Sequence, residues 1–95
     1  MATTTPVAEP QISRKVRQLP PWKVLLHNDD VNTIEDVILA ILRLTPLGEK
    51  EAILRTIEAH ERGSALLLVT NRERAELYVE QFASMRLTVT CEPDA

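Results

Sequence analysis

Between Trp22 and Cys91 the apolar residues change their spacing repeatedly, and that alternation restricts the chain to a layered mixture of helices and strands. Trp22-Lys23-Val24-Leu25-Leu26 is a short run of strand formers entered from Pro20-Pro21, and the residue before Pro21 is kept out of helical geometry, so the chain arrives extended. Ile34, Val37, Ile38, Ile41 and Leu42 then recur at the spacing of one buried helix face. That helix starts at Asn32 or Thr33, since Asn32 with Glu35, or Thr33 with Asp36, makes a capping box; Thr45-Pro46-Leu47-Gly48 stops it. A second helix is predicted from about Glu49 to Glu61, with acidic residues at its start and Gly63 as its C-terminal stop. Its expected core anchors are Ile53 and Ile57, assisted by Ala52 and Leu54.

Ala65-Leu66-Leu67-Leu68-Val69 is the most apolar run and is expected to be the central strand. Thr70 with Glu73 forms another capping box, followed by Ala75, Tyr78, Val79 and Phe82 on one face of a third helix. Leu87, Val89 and Cys91 alternate with Thr88 and Thr90, the period of a strand with one wet face. The expected fold class is α+β: a single small domain in β-α-α-β-α-β order, with three helices packed on a small three-stranded antiparallel sheet. Residues 1–20, rich in Thr and Pro and without a lasting period, read as a flexible N-terminal extension, and residues 21–95 as the core domain.

A domain this small has room for one site and little else. Cys91 is the only cysteine, which rules out an intrachain disulfide and a Cys-rich zinc site and fits a reducing, cytoplasmic setting. No stretch has the length and apolarity of a membrane span, and the start does not resemble a signal peptide. The net charge of -3 divides into +2 over residues 1–21 and -5 beyond, a poor balance for binding nucleic acid, and one Trp, one Tyr and one Phe are too few for a stacking platform. Only two glycines are present, and no phosphate-binding loop.

The residues that carry chemistry are few. Asn28-Asp29-Asp30 follows the first strand and precedes the first helix, and reads either as a solvated turn or as a place where two adjacent carboxylates await a cation. Asp29 and Asp30 lie before the cap, so capping does not require them. His60 falls in the last turn of the second helix, where it favours the helix dipole; Thr56 and Ala59 beside it are small enough to leave space. An enzyme reading with Asp29, Asp30 and His60 as acid and base has no Ser or Cys nucleophile to work with. A metal reading would recruit His27, Asp29, Asp30 and His60, but strand alternation points His27 and Asn28 in opposite directions.

Trp22 through Asp30, then Glu35 and Val37, then Ala52, His60 and Gly63 resemble, at matching spacing, the ClpS family of N-degron adaptor proteins of the ATP-dependent Clp protease. The match covers about residues 22 to 92 and marks a divergent member. The resemblance implies an adaptor, not an enzyme, with neither cofactor nor metal. It implies a monomer whose partners are N-terminal degron peptides with a bulky apolar first residue and the N-terminal domain of a ClpA- or ClpC-type unfoldase, and no nucleic acid or membrane. Asn28, Asp29 and His60 would bind the free α-amino group and first peptide unit, with Asp30 and Asn32 at the rim. Ile34, Val37, Thr56 and Ala59 match positions that line the pocket for the first side chain, and residues 1–20 match the extension that takes part in handing substrate over. Val31 replaces a familiar aromatic, Asn32-Thr33 a common Thr-Pro, and Thr56 a bulkier pocket residue, so an altered preference among Leu, Ile, Phe, Tyr and Trp is expected. The rival expectation is an interaction domain that keeps this fold without N-degron recognition. A fold shared with the C-terminal domain of the ribosomal stalk protein would not by itself imply degron binding.

Overall fold

The computed structural model describes residues 20–94. The expected extension therefore lies, apart from Pro20, outside the described residues. The elements are β1 (Trp22–His27), α1 (Ile34–Leu44), α2 (Glu49–Arg62), β2 (Ser64–Thr70), α3 (Arg72–Ser84) and β3 (Val89–Pro93). The order and the three-stranded antiparallel sheet agree with the reading from sequence.

The strand order is β2-β1-β3, which corrects one expectation: β1 is central, and the more apolar β2 is an edge. A bulge makes β2 look like a central strand. Leu25 of β1 pairs with Leu66 while Val24 pairs with Leu68, so Leu67 is an extra residue in a bulge. Ala65 and Leu67 face the core at the regular period, and with the extra residue Leu68 is partly buried as well, while Leu66 and Val69 remain 37% and 44% exposed.

α2 and α3 pack on the sheet, and α1 lies across those two helices. The fully buried large side chains are Val24 and Leu26 from β1, Ile41 from α1 and Phe82 from α3. α2 corrects a second expectation, because Ile53, Leu54 and Ile57 are 37%, 52% and 40% exposed, whereas Ala52, Thr56 and Ala59 are buried. These three small residues share one face of the helix and let its backbone come close to its neighbours. Larger anchors would hold it off.

The caps choose among the alternatives the sequence leaves open. Thr33, not Asn32, caps α1, its hydroxyl accepting the Asp36 N–H at 3.1 Å. For α3 the cap is Asn71 instead of Thr70, its side-chain oxygen accepting the Arg74 N–H at 2.8 Å, because Thr70 is still paired with Trp22 in the sheet. Gly63 ends α2 in the left-handed conformation (φ 96°), with its N–H bonded to the Ala59 carbonyl.

Candidate functional site

The site is assembled where β1 runs out. The backbone N–H of His27 donates to the Thr88 carbonyl and that of Asn28 to the Gly63 carbonyl, both at 2.9 Å, so the strand end is held between the approach to β3 and the turn that closes α2. Ala59 and His60 occupy the last turn of α2, immediately before that Gly63 turn. Ile34 and Val37 enter from the first turns of α1.

These segments enclose a cavity of about 320 Å3. Its walls include Asn28, Asp29, Asp30, Asn32 and His60 at the polar end, and Ile34, Val37, Thr56 and Ala59. Every candidate residue from the sequence therefore borders one space. Leu26 and Thr33, which sequence reasoning places in the first strand and at a helix cap, also line it, as does His27, singled out from sequence only as a candidate metal ligand. Leu26 was legible in principle, since it alternates inward with Val24, but its role as a wall depends on which helix residues leave a gap above it. The volume lies near the lower end of the range for small-ligand sites, enough for a single side chain and its backbone end.

Asp29 is built into its loop as a turn residue, while the capping of α1 is left to Thr33. One oxygen accepts the N–H groups of Val31 and Asn32 at 2.8 Å each, and the other accepts the side-chain amide of Asn32 at 3.2 Å. Burial pushes this carboxyl up, but the Asn32 backbone and side chain and the Val31 N–H together outweigh it and hold the pKa below its ordinary value. The result is a fixed anion with about one acceptor position left over. Asp30 is exposed at the same rim.

The cavity lining contains two carboxylates and neither Lys nor Arg. A cation with an apolar substituent fits that lining, and an anion does not. Thr56, although polar, is 3% exposed and donates its hydroxyl proton to the Ala52 carbonyl at 2.7 Å, so it serves as a wall without an unsatisfied group. His27 is engaged with the Thr90 hydroxyl at 2.7 Å. Among the described residues, no three His, Cys, Asp or Glu side chains are grouped to hold a metal ion, and no Ser or Cys lines the cavity.

Comparison with known proteins gives a consistent set of similarities. A family model described as "ATP-dependent Clp protease adaptor protein ClpS" matches residues 17–90. The ATP-dependent Clp protease adapter protein ClpS of Synechococcus elongatus is 37% identical over 95 residues, covering 99% of each chain. The chloroplastic adapter CLPS1 of Chlamydomonas reinhardtii is 36% identical, covering 96% of this chain and 57% of the relative. Among solved structures, Agrobacterium tumefaciens ClpS2 bound to L-phenylalaninamide superimposes with a TM-score of 0.75 at 27% identity, covering 79% of this chain and 98% of that one.

Proposed function

Because this chain belongs to the ClpS family of Clp protease adaptors, we propose that it binds the free α-amino group and apolar first side chain of N-degron substrates and delivers them to a ClpA- or ClpC-type unfoldase. One observation carries the reading: an anionic rim and an apolar recess share a single cavity sized for one residue. An α-amino group has an ordinary pKa near 8, so at pH 7 it is mostly a cation with three donors. In this reading Asn28, Asp29 and His60 receive those donors and the first peptide unit, with Asp30 and Asn32 at the rim. Ile34, Val37, Thr56 and Ala59 surround the side chain, whose transfer out of water contributes roughly 1.5 to 3 kcal/mol. An internal peptide N–H offers one neutral donor and no charge, so a chain end is preferred. The solved relative with L-phenylalaninamide, a free amine next to an apolar side chain, supports the same chemistry here. The protein acts as a cytoplasmic monomer, and residues 1–20 take part in delivery.

The test compares peptides beginning with Leu, Ile, Phe, Tyr or Trp with the same peptides N-acetylated. Binding is expected for the free amines and lost on acetylation. Equal affinity for both forms would overturn the proposal and favour an interaction domain without N-degron recognition. Delivery is read separately, as degradation of an N-degron substrate by unfoldase and protease with the full chain or one lacking residues 1–20.

A further inference from the structure

We infer that Asn32 is a positioning residue: it fastens the acidic loop to the α3–β3 turn by spending both hydrogens of its side-chain amide on protein acceptors, the Asp29 carboxylate and the Arg86 carbonyl. The effect on binding rests on the proposed function, whereas the tether itself does not.

The amide nitrogen of Asn32 lies 3.2 Å from Asp29 Oδ2 and 2.8 Å from the backbone oxygen of Arg86. A carboxylate and a carbonyl only accept, so both contacts require the NH2 side of the amide and its orientation is settled by chemistry. The Asn32 backbone N–H adds a third bond, to Asp29 Oδ1 at 2.8 Å. Asn32 borders the main cavity and also a second depression of about 230 Å3 that includes Asp36, Arg43, Met85 and Leu87. It is therefore the partition between the acidic loop and the end of α3.

The far anchor is rigid for a reason visible in the backbone. Leu87 N–H bonds to the Phe82 carbonyl at 3.0 Å and Arg86 N–H to the Ala83 carbonyl at 2.9 Å, the paired closure of a Schellman motif. Phe82 and Leu87, the apolar pair of that motif, are buried in the core. The motif places Arg86 in the left-handed region at φ 64°, the one non-glycine residue there among the described residues. A position that glycine usually fills is occupied by arginine and is held by the turn. Its carbonyl thus gives Asn32 a fixed acceptor, and Asn32 passes that rigidity to Asp29.

Removing the amide should release Asp29 in two ways: it loses a donor, which favours its protonated form, and it loses its link to the core. The other ionisable groups around the loop and its tether are His27 on β1, Asp30 beside it, Asp36 and Arg43 in α1, His60 on α2 and Arg86 itself, so the Asp29 carboxyl must be followed individually. The experiment records the pH midpoint of the Asp29 carboxyl by NMR in the full chain for wild type, Asn32→Ser, Asn32→Ala and Asn32→Asp, and then the affinity for a Phe-first peptide across the same pH range. The amide spectrum reports that each variant is folded. Asn32→Ala should raise the Asp29 midpoint and weaken binding about 3- to 10-fold, with the loss growing toward acid pH. Asn32→Ser, which keeps one donor, should fall between, and Asn32→Asp should be the most severe. An unchanged Asp29 midpoint in folded Asn32→Ala or Asn32→Ser would overturn the tether. If instead the midpoint moves but the wild type binds no free-amine peptide, the tether stands and the functional reading fails.

Discussion

The backbone N–H of Asn28 donates to the carbonyl of Gly63 at 2.9 Å, and this bond joins the end of β1 to the end of α2. Gly63 closes α2 one turn after Ala59 and His60, and the next residue, Ser64, pairs with His27. A glycine turn thereby brings the acidic loop and the histidine to the rim of one cavity. The contact is a consequence of sheet register, since Asn28 extends the β1–β2 pairing by one step beyond its last regular pair.

Gly63→Ala should test that junction. A Cβ at Gly63 meets nothing within 4 Å, so its cost is the left-handed backbone at φ 96° alone. The expected loss is about 1–2 kcal/mol in urea denaturation, with a smaller loss for Gly63→Asn. Peptide affinity should fall with it. Unchanged stability would mean that the turn relaxes to another conformation, and the site should then be distorted.

Asp29 and Asp30 should separate stability from binding. Asp29→Ala removes the acceptor for three hydrogen bonds and is expected to cost roughly 0.5–2 kcal/mol, in the range of a lost cap. Asp30 is exposed, so Asp30→Asn should leave the thermal midpoint where it is. Both substitutions should weaken binding of a free-amine peptide. Calorimetric melting beside peptide titration checks the pair.

Asp29 also sets a pH dependence with a definite sign. Its carboxyl is lowered in the folded chain, so it contributes stability fully above its unfolded-state value, near 3.9, and that contribution is lost as pH falls from there through the lower folded value. Urea midpoints measured across that acid range should decline in the wild type. The decline should be shallower in Asp29→Ala.

The recess should be tunable from α2. Thr56 and Ala59 are each 3% exposed and face the cavity. Thr56→Met or Ala59→Leu should reduce affinity for Trp- and Phe-first peptides about tenfold or more, and for Leu-first peptides less, because the added volume takes the space of the largest side chains. Thr56→Val keeps the shape and removes only the hydroxyl bond to Ala52, so it should change affinity little. Titrations with a first-residue peptide series decide the outcome.

The helix and strand order was legible because it depends on local information: the spacing of Val37 and Ile41, the threonine that caps α1, the glycine that ends α2. Asn28-Asp29-Asp30 and His60 stood out because they place charged and polar groups at the ends of elements; that Asp29 also holds its loop together through three hydrogen bonds was left to the structure. What sequence left open was non-local. Ile53 and Ile57 form as good an apolar stripe on α2 as Ala52, Thr56 and Ala59, and only the packing of the helix selects the small one. The apolar run of β2 cannot say which strands flank it, since strand order depends on partners far along the chain; β1 took the centre. The link from Asn32 to Arg86 leaves no trace in sequence, because its acceptor is a backbone carbonyl that every residue possesses and only the fold can aim. Sequence determined which elements form and which side chains bring charge to their ends; tertiary structure decided which faces meet, because the free energy of close packing depends on shapes that only the assembled elements define.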